Sequence, residues 1–333
     1  MEKVVVNEEQ CRKIAGILNG LEFRKETLER EYITFASDKE TKLRAFFYSV
    51  AICHQTHSLI DNKRKLKGWT YLEYVYANLG KWDSKLIDPF YLSKLSVEEL
   101  IEKLKPLFSE DGKSENCTLD RLDERAKFII DDSKMLVEHY GGKVENVLEK
   151  SNGFLIKDGE GLYELLEEFE SYSDHLRKKS GVLIKFLILA DFFEIKDLEN
   201  IVPIMDYQIQ RVLLRTGCIE VLDKELKDKL VKREQLESDE DVRQASIEAS
   251  RLLFKFSGKH PLKMDDFLWA LGRSCCRTKM LCVSEVCDKD PCTFFSFVQL
   301  KEHKKCVFDG TCKGSQSEEY RKLYQPIVET HYY

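Results

Sequence analysis

Seven of the eleven cysteines of this chain fall between Cys275 and Cys312, and this cluster constrains the fold more than any other feature of the sequence. The first ten residues, MEKVVVNEEQ, lack the apolar region of a secretory signal peptide, so an oxidising compartment is not expected. Disulfides therefore explain an odd number of cysteines poorly. Thiolates are soft ligands, four of which can converge on zinc or on an iron-sulfur cluster. The sequence predicts a cysteine-rich metal loop near its C-terminal end.

The spacing of the outer cysteines resembles that of a known metal loop. Six residues separate Cys275 from Cys282, and five separate Cys306 from Cys312. This resembles the iron-sulfur loop of the endonuclease III and adenine-mismatch glycosylases, C-x6-C-x2-C-x5-C, although the middle gap here is much longer. The resemblance implies a 4Fe-4S cluster on these four cysteines. Zinc is the alternative metal, buried unligated thiols are the non-metal alternative, and the substitute ligands are Cys276, Cys287 and Cys292.

The rest of the chain is typical of an all-α protein. Charged residues make up 34% of the sequence and Pro occurs only 6 times, which favours long solvated helices. The segment GVLIKFLILADFF, residues 181–193, is too apolar for a surface helix and too short to span a membrane, so it predicts a helix through the core. Its charged residues Lys185 and Asp191 are expected to be buried and therefore paired or used.

Charge and hydropathy limit the partners and the compartment. The chain has 53 Lys and Arg against 59 Asp and Glu, a net charge of −6, which argues against an overall basic surface for nucleic acid. No segment approaches the 18 apolar residues that a membrane span needs. We expect a monomer without membrane contact, located in the cytoplasm or, in a eukaryote, the nucleus.

Two motifs upstream of the cysteines point to a glycosylase. MDYQIQRV carries Asp206 at a helix start with Arg211 five residues on, and MDDFLWALGR follows in the expected order. Both are similar to segments of endonuclease III and of the archaeal 8-oxoguanine DNA glycosylase. The resemblance implies a helix-hairpin-helix glycosylase fold that acts on damaged DNA. It assigns catalysis to Asp206, whose carboxylate would stabilise the positive charge on the sugar, and substrate contacts to Tyr207, Arg211 and Trp269.

Some members of that superfamily also use a lysine, which attacks the sugar and forms a Schiff base. The stretch RKKSG takes the corresponding place and points to Lys179. The Leu-Pro-Gly-Val-Gly hairpin that precedes this lysine in the family is replaced by SDHLRKK, which has no glycine. The backbone amides that bind a DNA phosphate in those enzymes are therefore not evident here.

A second resemblance indicates a different substrate. The stretches HYGGKVENVLEKSNG, YELLEEFESYSD and DVRQASIEASRLL are similar in order and wording to the queuosine salvage family. That family cleaves the N-glycosidic bond of a queuosine nucleotide. The resemblance implies that Asp191 and Asp206 are paired active-site acids and that the aromatic segment near Trp69 packs the pocket. The acidic net charge and the missing hairpin fit this alternative.

The chain is expected to comprise an N-terminal helical region (1–135), a glycosylase-like core (136–270), the metal loop (271–315) and a tail (316–333). In the first region the apolar run FFYSVAIC leads into the polar HQTHS, where His54, Gln55 and His57 are candidate substrate contacts. These features are compatible with three functions. The sequence favours a base-excision DNA glycosylase, with or without lyase activity. A queuosine-nucleotide N-glycosidase is the alternative, and a noncatalytic nucleic-acid-binding protein is the third.

Overall fold

The structure, a computed structural model, describes residues 2–24, 30–284, 287, 292–300 and 304–333. The described residues are mostly helical, which confirms the all-α prediction, while the helix-hairpin-helix arrangement stays a prediction. No helix in these ranges is both long and apolar enough to cross a membrane.

The helices and strands follow one another along the whole chain. The strands are β1 (Val4–Val6), β2 (Ile60–Asp61), β3 (Leu66–Lys67) and β4 (Ile219–Val221). The helices are α1 (Glu8–Asn19), α2 (Arg30–Thr34), α3 (Lys39–Ala51), α4 (Trp69–Trp82), α5 (Pro89–Leu92), α6 (Val97–Leu104), α7 (Leu122–Tyr140), α8 (Val144–Ser151), α9 (Leu162–Glu167), α10 (Lys178–Leu189), α11 (Tyr207–Thr216), α12 (Lys224–Lys232), α13 (Glu240–Ser257), α14 (Pro261–Ser274), α15 (Leu281–Ser284), α16 (Thr293–Phe297), α17 (Lys313–Gln316) and α18 (Glu318–Lys322).

The chain divides into two compact units, each made of segments that are distant in sequence. The first unit comprises Met1–Arg30 and Val202–Glu329, and the second comprises Glu31–Ile201 and Thr330–Tyr333. The four domains expected from the sequence stay a prediction.

The first unit is built on α1, α11, α13 and α14. Helix α1 packs along α13, and α11 packs against both α13 and α14. Strand β1 pairs with β4 in antiparallel register, with Val5 opposite Glu220. Helices α11 and α14 approach closely at Gly272, where an added Cβ would stand 2.8 Å from the backbone oxygen of Gln208. The glycine of the WALGR motif therefore sets the spacing of the two helices.

The second unit surrounds α3 and α10. Helix α3 contacts α4, α7, α8 and α10, and its residues from Ala45 to Ala51 are all buried. Helix α10 is the core helix that its apolar sequence predicts, and Lys185 is buried in it. Asp191 was expected to be buried as well, and this expectation is wrong. The helix ends at Leu189, and Asp191 is exposed in a left-handed conformation, with φ of 57°.

Candidate functional site

A cluster of buried ionisable side chains lies in the second unit, where the end of α3 meets the start of α10. Lys179, in the first turn of α10, is fully buried. Its Nζ donates to the carbonyl oxygen of Ala51 at 2.5 Å and lies 3.5 Å from Nδ1 of His54. Burial lowers the pKa of Lys179 to about 7. The fold thus brings together Lys179 and His54, two candidate site residues from separate parts of the sequence.

His54 is neutral in this cluster. The ring is fully buried, and burial, together with the positive charges of Lys179 and Arg125, holds the pKa of His54 far below its usual range. Its Nε2 lies 3.4 Å from Oε2 of Glu124. No hydrogen-bond partner for this Nε2 is found among the described residues. The histidine therefore contributes a polar but uncharged ring.

Three other members of the cluster were not found from the sequence: Glu124 and Asp132 on α7, and His331. The His331 ring lies 5.2 Å from that of Phe128, and burial lowers the pKa of His331. Asp132 accepts a hydrogen bond from Ser171 Oγ at 2.5 Å, and burial raises its pKa to about 7. The sequence did contain a signal for the two α7 residues, because they are charged residues in an amphipathic helix whose other face is buried.

The two other polar candidates after α3 lie at the edge of this cluster. Gln55 adopts a left-handed conformation with φ of 45°, and its Oε1 accepts from Nη1 of Arg121 at 2.9 Å. The same Nη1 donates to the carbonyl oxygen of Thr330. His57, by contrast, is exposed on a short 3-10 turn. Gln55 thus helps to anchor residues 330–333, whereas His57 faces outward.

Trp69 belongs to a separate cluster of aromatic rings in the second unit. Its ring stacks on Phe186 at a centroid distance of 5.6 Å, with Tyr32 edge-on at 6.3 Å. Trp69 Nε1 donates to Oε1 of Glu73 at 2.6 Å. The aromatic cluster comprises Tyr32, Phe35, Phe46, Trp69, Phe186 and Phe192, in which Phe35, Trp69 and Phe192 are only half-buried. Flat ligands can stack on such a surface.

Asp191 directly precedes Phe192 of the aromatic cluster. It is exposed, and its backbone nitrogen donates to the carbonyl oxygen of Ile188 at 3.1 Å. Its φ of 57° lies in the left-handed region, which few residues other than glycine adopt and which aspartate and asparagine adopt more often than most. Asp191 is therefore an exposed residue just beyond the end of α10 and adjacent in sequence to one ring of the aromatic cluster.

Asp206 lies in the first unit as the N-cap of α11. Its Oδ1 accepts hydrogen bonds from the backbone nitrogens of Gln208 at 2.8 Å and Ile209 at 3.0 Å. Both capping bonds end on the same oxygen, so capping occupies one oxygen of the carboxylate. Asp206 and the following Tyr207 are half-buried. Asp206 is therefore a helix cap, and the catalytic role expected of it stays a prediction.

The hydrogen bonds of Arg211 connect parts of the first unit to one another. The side chain is 3% exposed, and it donates to the carbonyl oxygens of Gly272 and Cys276 at 2.8 and 2.7 Å and to Oε1 of Gln325 at 2.5 Å. These bonds tie α11 to the end of α14. Trp269 is half-buried, with the guanidinium carbon of Arg273 4.8 Å from its ring centroid. The substrate contacts expected of both residues stay predictions.

The expected metal ligands lie in the first unit, beyond the end of α14. Cys275 caps that helix and is buried, as is Cys312, while Cys282 and Cys306 are partly buried. All eleven cysteines are present as thiols. No three His, Cys, Asp or Glu side chains in the described ranges form a group arranged to hold a metal ion. The expected cluster stays a prediction.

A comparison with known families gives one result. A family model described as queuosine salvage protein matches residues 45–283, which is well over half of the chain. The matched region includes Trp69, Lys179, Asp191 and Asp206, and it ends before the cysteines at 287–312. No curated protein matches the sequence.

Proposed function

Because the chain belongs to the queuosine salvage protein family, we propose that it is an N-glycosidase that hydrolyses the bond between the modified base and the sugar of a queuosine nucleotide. The family match over residues 45–283 carries this proposal. The match favours the salvage function over the DNA glycosylase function that the sequence motifs favoured. Cleavage of a base-sugar bond is common to both interpretations.

The chemistry gives a defined task to a fixed carboxylate. As the bond to the base breaks, positive charge develops on the sugar, and a water molecule supplies the hydroxyl group that replaces the base. A carboxylate can stabilise that charge or accept the proton of the water, while the leaving base takes up a proton. We assign the main role to Asp206, because it stands in the glycosylase-like motif and its capping bonds hold the carboxylate in a fixed position. Asp191 is the second acid that the salvage resemblance implies.

The aromatic cluster offers a place for the base. A purine-like ring system gains about 1–3 kcal/mol by stacking on an aromatic side chain. Trp69, Phe35 and Phe192 each expose part of their rings, and Glu73 holds the Trp69 indole by a 2.6 Å hydrogen bond. We infer that this surface of the second unit can bind a flat aromatic ring such as the modified base.

The lyase role once expected of Lys179 has little support in this geometry. A nucleophilic amine must reach the sugar, whereas Lys179 is fully buried and its Nζ donates to the carbonyl oxygen of Ala51. The depressed pKa of Lys179 follows from burial. We therefore propose a structural role for Lys179, which holds the start of α10 against the end of α3.

The proposal is tested by measuring base release, by chromatography, from a queuosine nucleotide, from its nucleoside and from duplex DNA that carries a damaged base. We expect release from the nucleotide, a loss of several orders of magnitude in Asp206→Asn, and near-normal rates in Asp223→Asn. Asp223 is the matched control, because it caps α12 as Asp206 caps α11. Asparagine is a good helix cap, so both variants should fold.

Other outcomes would point elsewhere. Base release from damaged DNA alone would restore the DNA glycosylase interpretation. A folded wild-type protein that is inactive on all three substrates, yet binds nucleic acid, would favour the noncatalytic alternative. Near-normal turnover by Asp206→Asn would reduce Asp206 to a helix cap.

A further inference from the structure

An open cavity of about 380 Å³ lies in the second unit, where α8 meets the start of α3 and the loop after α10. Its apolar lining is formed by Leu148, Phe192 and Phe193, and the rest of its lining is mostly charged or polar. Small-molecule sites in proteins have volumes of about 300–1,000 Å³ and combine apolar surface with a few placed polar groups. The cavity therefore has the size and the mixed lining of a site for one small ligand.

An ion pair and backbone hydrogen bonds fix the wall where α3 meets α8. Lys39 Nζ donates to Oε1 of Glu145 at 2.7 Å. The carboxylate of Glu40 accepts from the backbone nitrogens of Val144 and Glu145 at 3.0 and 3.2 Å, which ties the two helices together. The Lys39 ammonium also lies 5.8 Å from the centroid of the Phe192 ring. This wall thus places a donor and an acceptor side by side near an aromatic ring.

The end of α8 and the loop after α10 form a second wall. Asn152, the left-handed C-cap of α8, accepts from Lys196 Nζ at 3.0 Å. The backbone nitrogen of Lys196 donates to the carbonyl oxygen of Gly153 at 2.8 Å. A Cβ on Gly153 would stand 3.2 Å from Cε of Lys196 and 3.0 Å from the backbone oxygen of Glu194. The glycine therefore lets the lysine stem lie against the backbone, which holds a second donor in place.

The charges of the lining indicate which kind of ligand fits. The charged residues that line the cavity are Lys39, Lys196, Glu145, Glu149 and Glu194. The excess of carboxylates disfavours a phosphate or another anion, and the two ammonium groups disfavour a cation. Hydroxyl groups both donate and accept, so they match carboxylates, which accept, as well as ammonium groups, which donate. The half-buried ring of Phe192 offers an apolar surface for the C–H face of a sugar ring.

We propose that this cavity binds an uncharged polyhydroxylated ring such as a pentose, either as a free sugar or as the sugar of a nucleoside. Phe192 also belongs to the aromatic cluster, where its ring centroid lies 6.4 Å from that of Phe46. A nucleoside can therefore place its base on the aromatic cluster and its sugar in the cavity, both within the second unit. This binding goes beyond the N-glycosidase activity proposed above and does not depend on it.

Binding is measured on the full-length protein by saturation-transfer NMR, with methyl β-D-ribofuranoside as the uncharged probe. We expect saturation of the sugar protons in wild type and in Lys150→Met. The signal should fall by about fivefold or more in Lys196→Met and in Phe192→Leu, because each loses a contact to the sugar. Methionine keeps the apolar stem of Lys196 and removes its donor. Lys150 is the matched control, since it is an exposed lysine of α8 that does not line the cavity.

Guanosine distinguishes the two sources of the ring. If the cavity holds the sugar of a nucleoside, guanosine should bind about tenfold or more tightly than the riboside, and Trp69→Ala should remove that gain. Equal affinities of the two probes would assign the cavity to a free sugar.

Three results would overturn the proposal. They are no saturation transfer in wild type, an equal signal in wild type, Lys196→Met and Phe192→Leu, and binding of inorganic phosphate that Lys196→Met abolishes. None of these measurements requires turnover, so base release from the nucleotide remains a separate test of the proposed function.

Discussion

Nζ of Lys179 lies 3.5 Å from Nδ1 of His54, and both side chains are fully buried. The two residues are 125 positions apart in sequence, so the contact fixes the start of α10 against the end of α3. Since burial favours the uncharged form of His54, the contact places the Lys179 amine beside a neutral ring rather than beside a second cation.

The Lys179 amine should make stability depend on alkaline pH. In the unfolded chain this amine has the ordinary lysine pKa, and in the fold burial lowers the pKa to about 7. Between about pH 7 and 10 the unfolded state binds more protons, so the unfolding free energy should rise with pH by a few kcal/mol. Urea unfolding at several pH values should show this rise in wild type and in Lys178→Met, but not in Lys179→Met. An unchanged pH profile in Lys179→Met would mean that another group causes the rise.

Asp132 should have the opposite effect on the acidic side. Burial raises its pKa to about 7, so the folded state binds a proton that the unfolded state has lost above about pH 4. The unfolding free energy should therefore fall as the pH rises from about 4 to 7. Asp132→Asn should remove this fall and keep an acceptor for Ser171. The neighbouring Asp131→Asn, which loses only the 3.1 Å surface ion pair with Lys134, should retain it.

Gly272 and Gly16 provide a matched pair for the packing of the first unit. A Cβ on Gly272 would stand 2.8 Å from the backbone oxygen of Gln208, whereas one on Gly16 would meet nothing within 4 Å. Gly272→Ala should lower the unfolding free energy by roughly 1–3 kcal/mol, because the two helices must separate. Gly16→Ala should raise it by up to about 1 kcal/mol, since alanine favours the helix. Equal thermal midpoints for the two variants would show that α11 and α14 are not in close contact.

Local sequence patterns predicted the helices better than they predicted which side chains come together in the fold. The apolar run around Phe186 predicted the core helix, which the structure has as α10. The end of α10 could not be placed, because the apolar run continues to Phe193 while the helix ends at Leu189. The charges of Asp132 and Glu124 on α7 are visible in the sequence, but only the fold shows that their partners are Ser171 and His54.

Trp69 should contribute to binding more than to the chemical step. If the modified base stacks on the aromatic cluster, Trp69→Ala should raise KM for the nucleotide about tenfold or more with a smaller change in kcat. Trp69→Phe should keep most of the stacking and most of the affinity. Trp82→Ala is the control, because Trp82 is 47% exposed and lies outside the cluster. Steady-state kinetics decide the matter, and an equal KM in Trp69→Ala and Trp82→Ala would contradict base recognition at this surface.

Asp191 combines an unusual backbone with a proposed chemical role, and substitutions can separate the two. Asparagine tolerates the left-handed conformation, so Asp191→Asn should unfold at the same temperature as wild type yet lose activity by at least a hundredfold if the carboxylate takes part in the reaction. Asp191→Ala should lose activity and also about 1 kcal/mol of stability, because alanine tolerates φ of 57° less well. Asp158→Asn is the matched control, since Asp158 is another exposed aspartate with φ of 47°. Full activity in Asp191→Asn would leave Asp206 as the sole carboxylate assigned to the reaction, and would make the conformation of Asp191 a feature of the helix end alone.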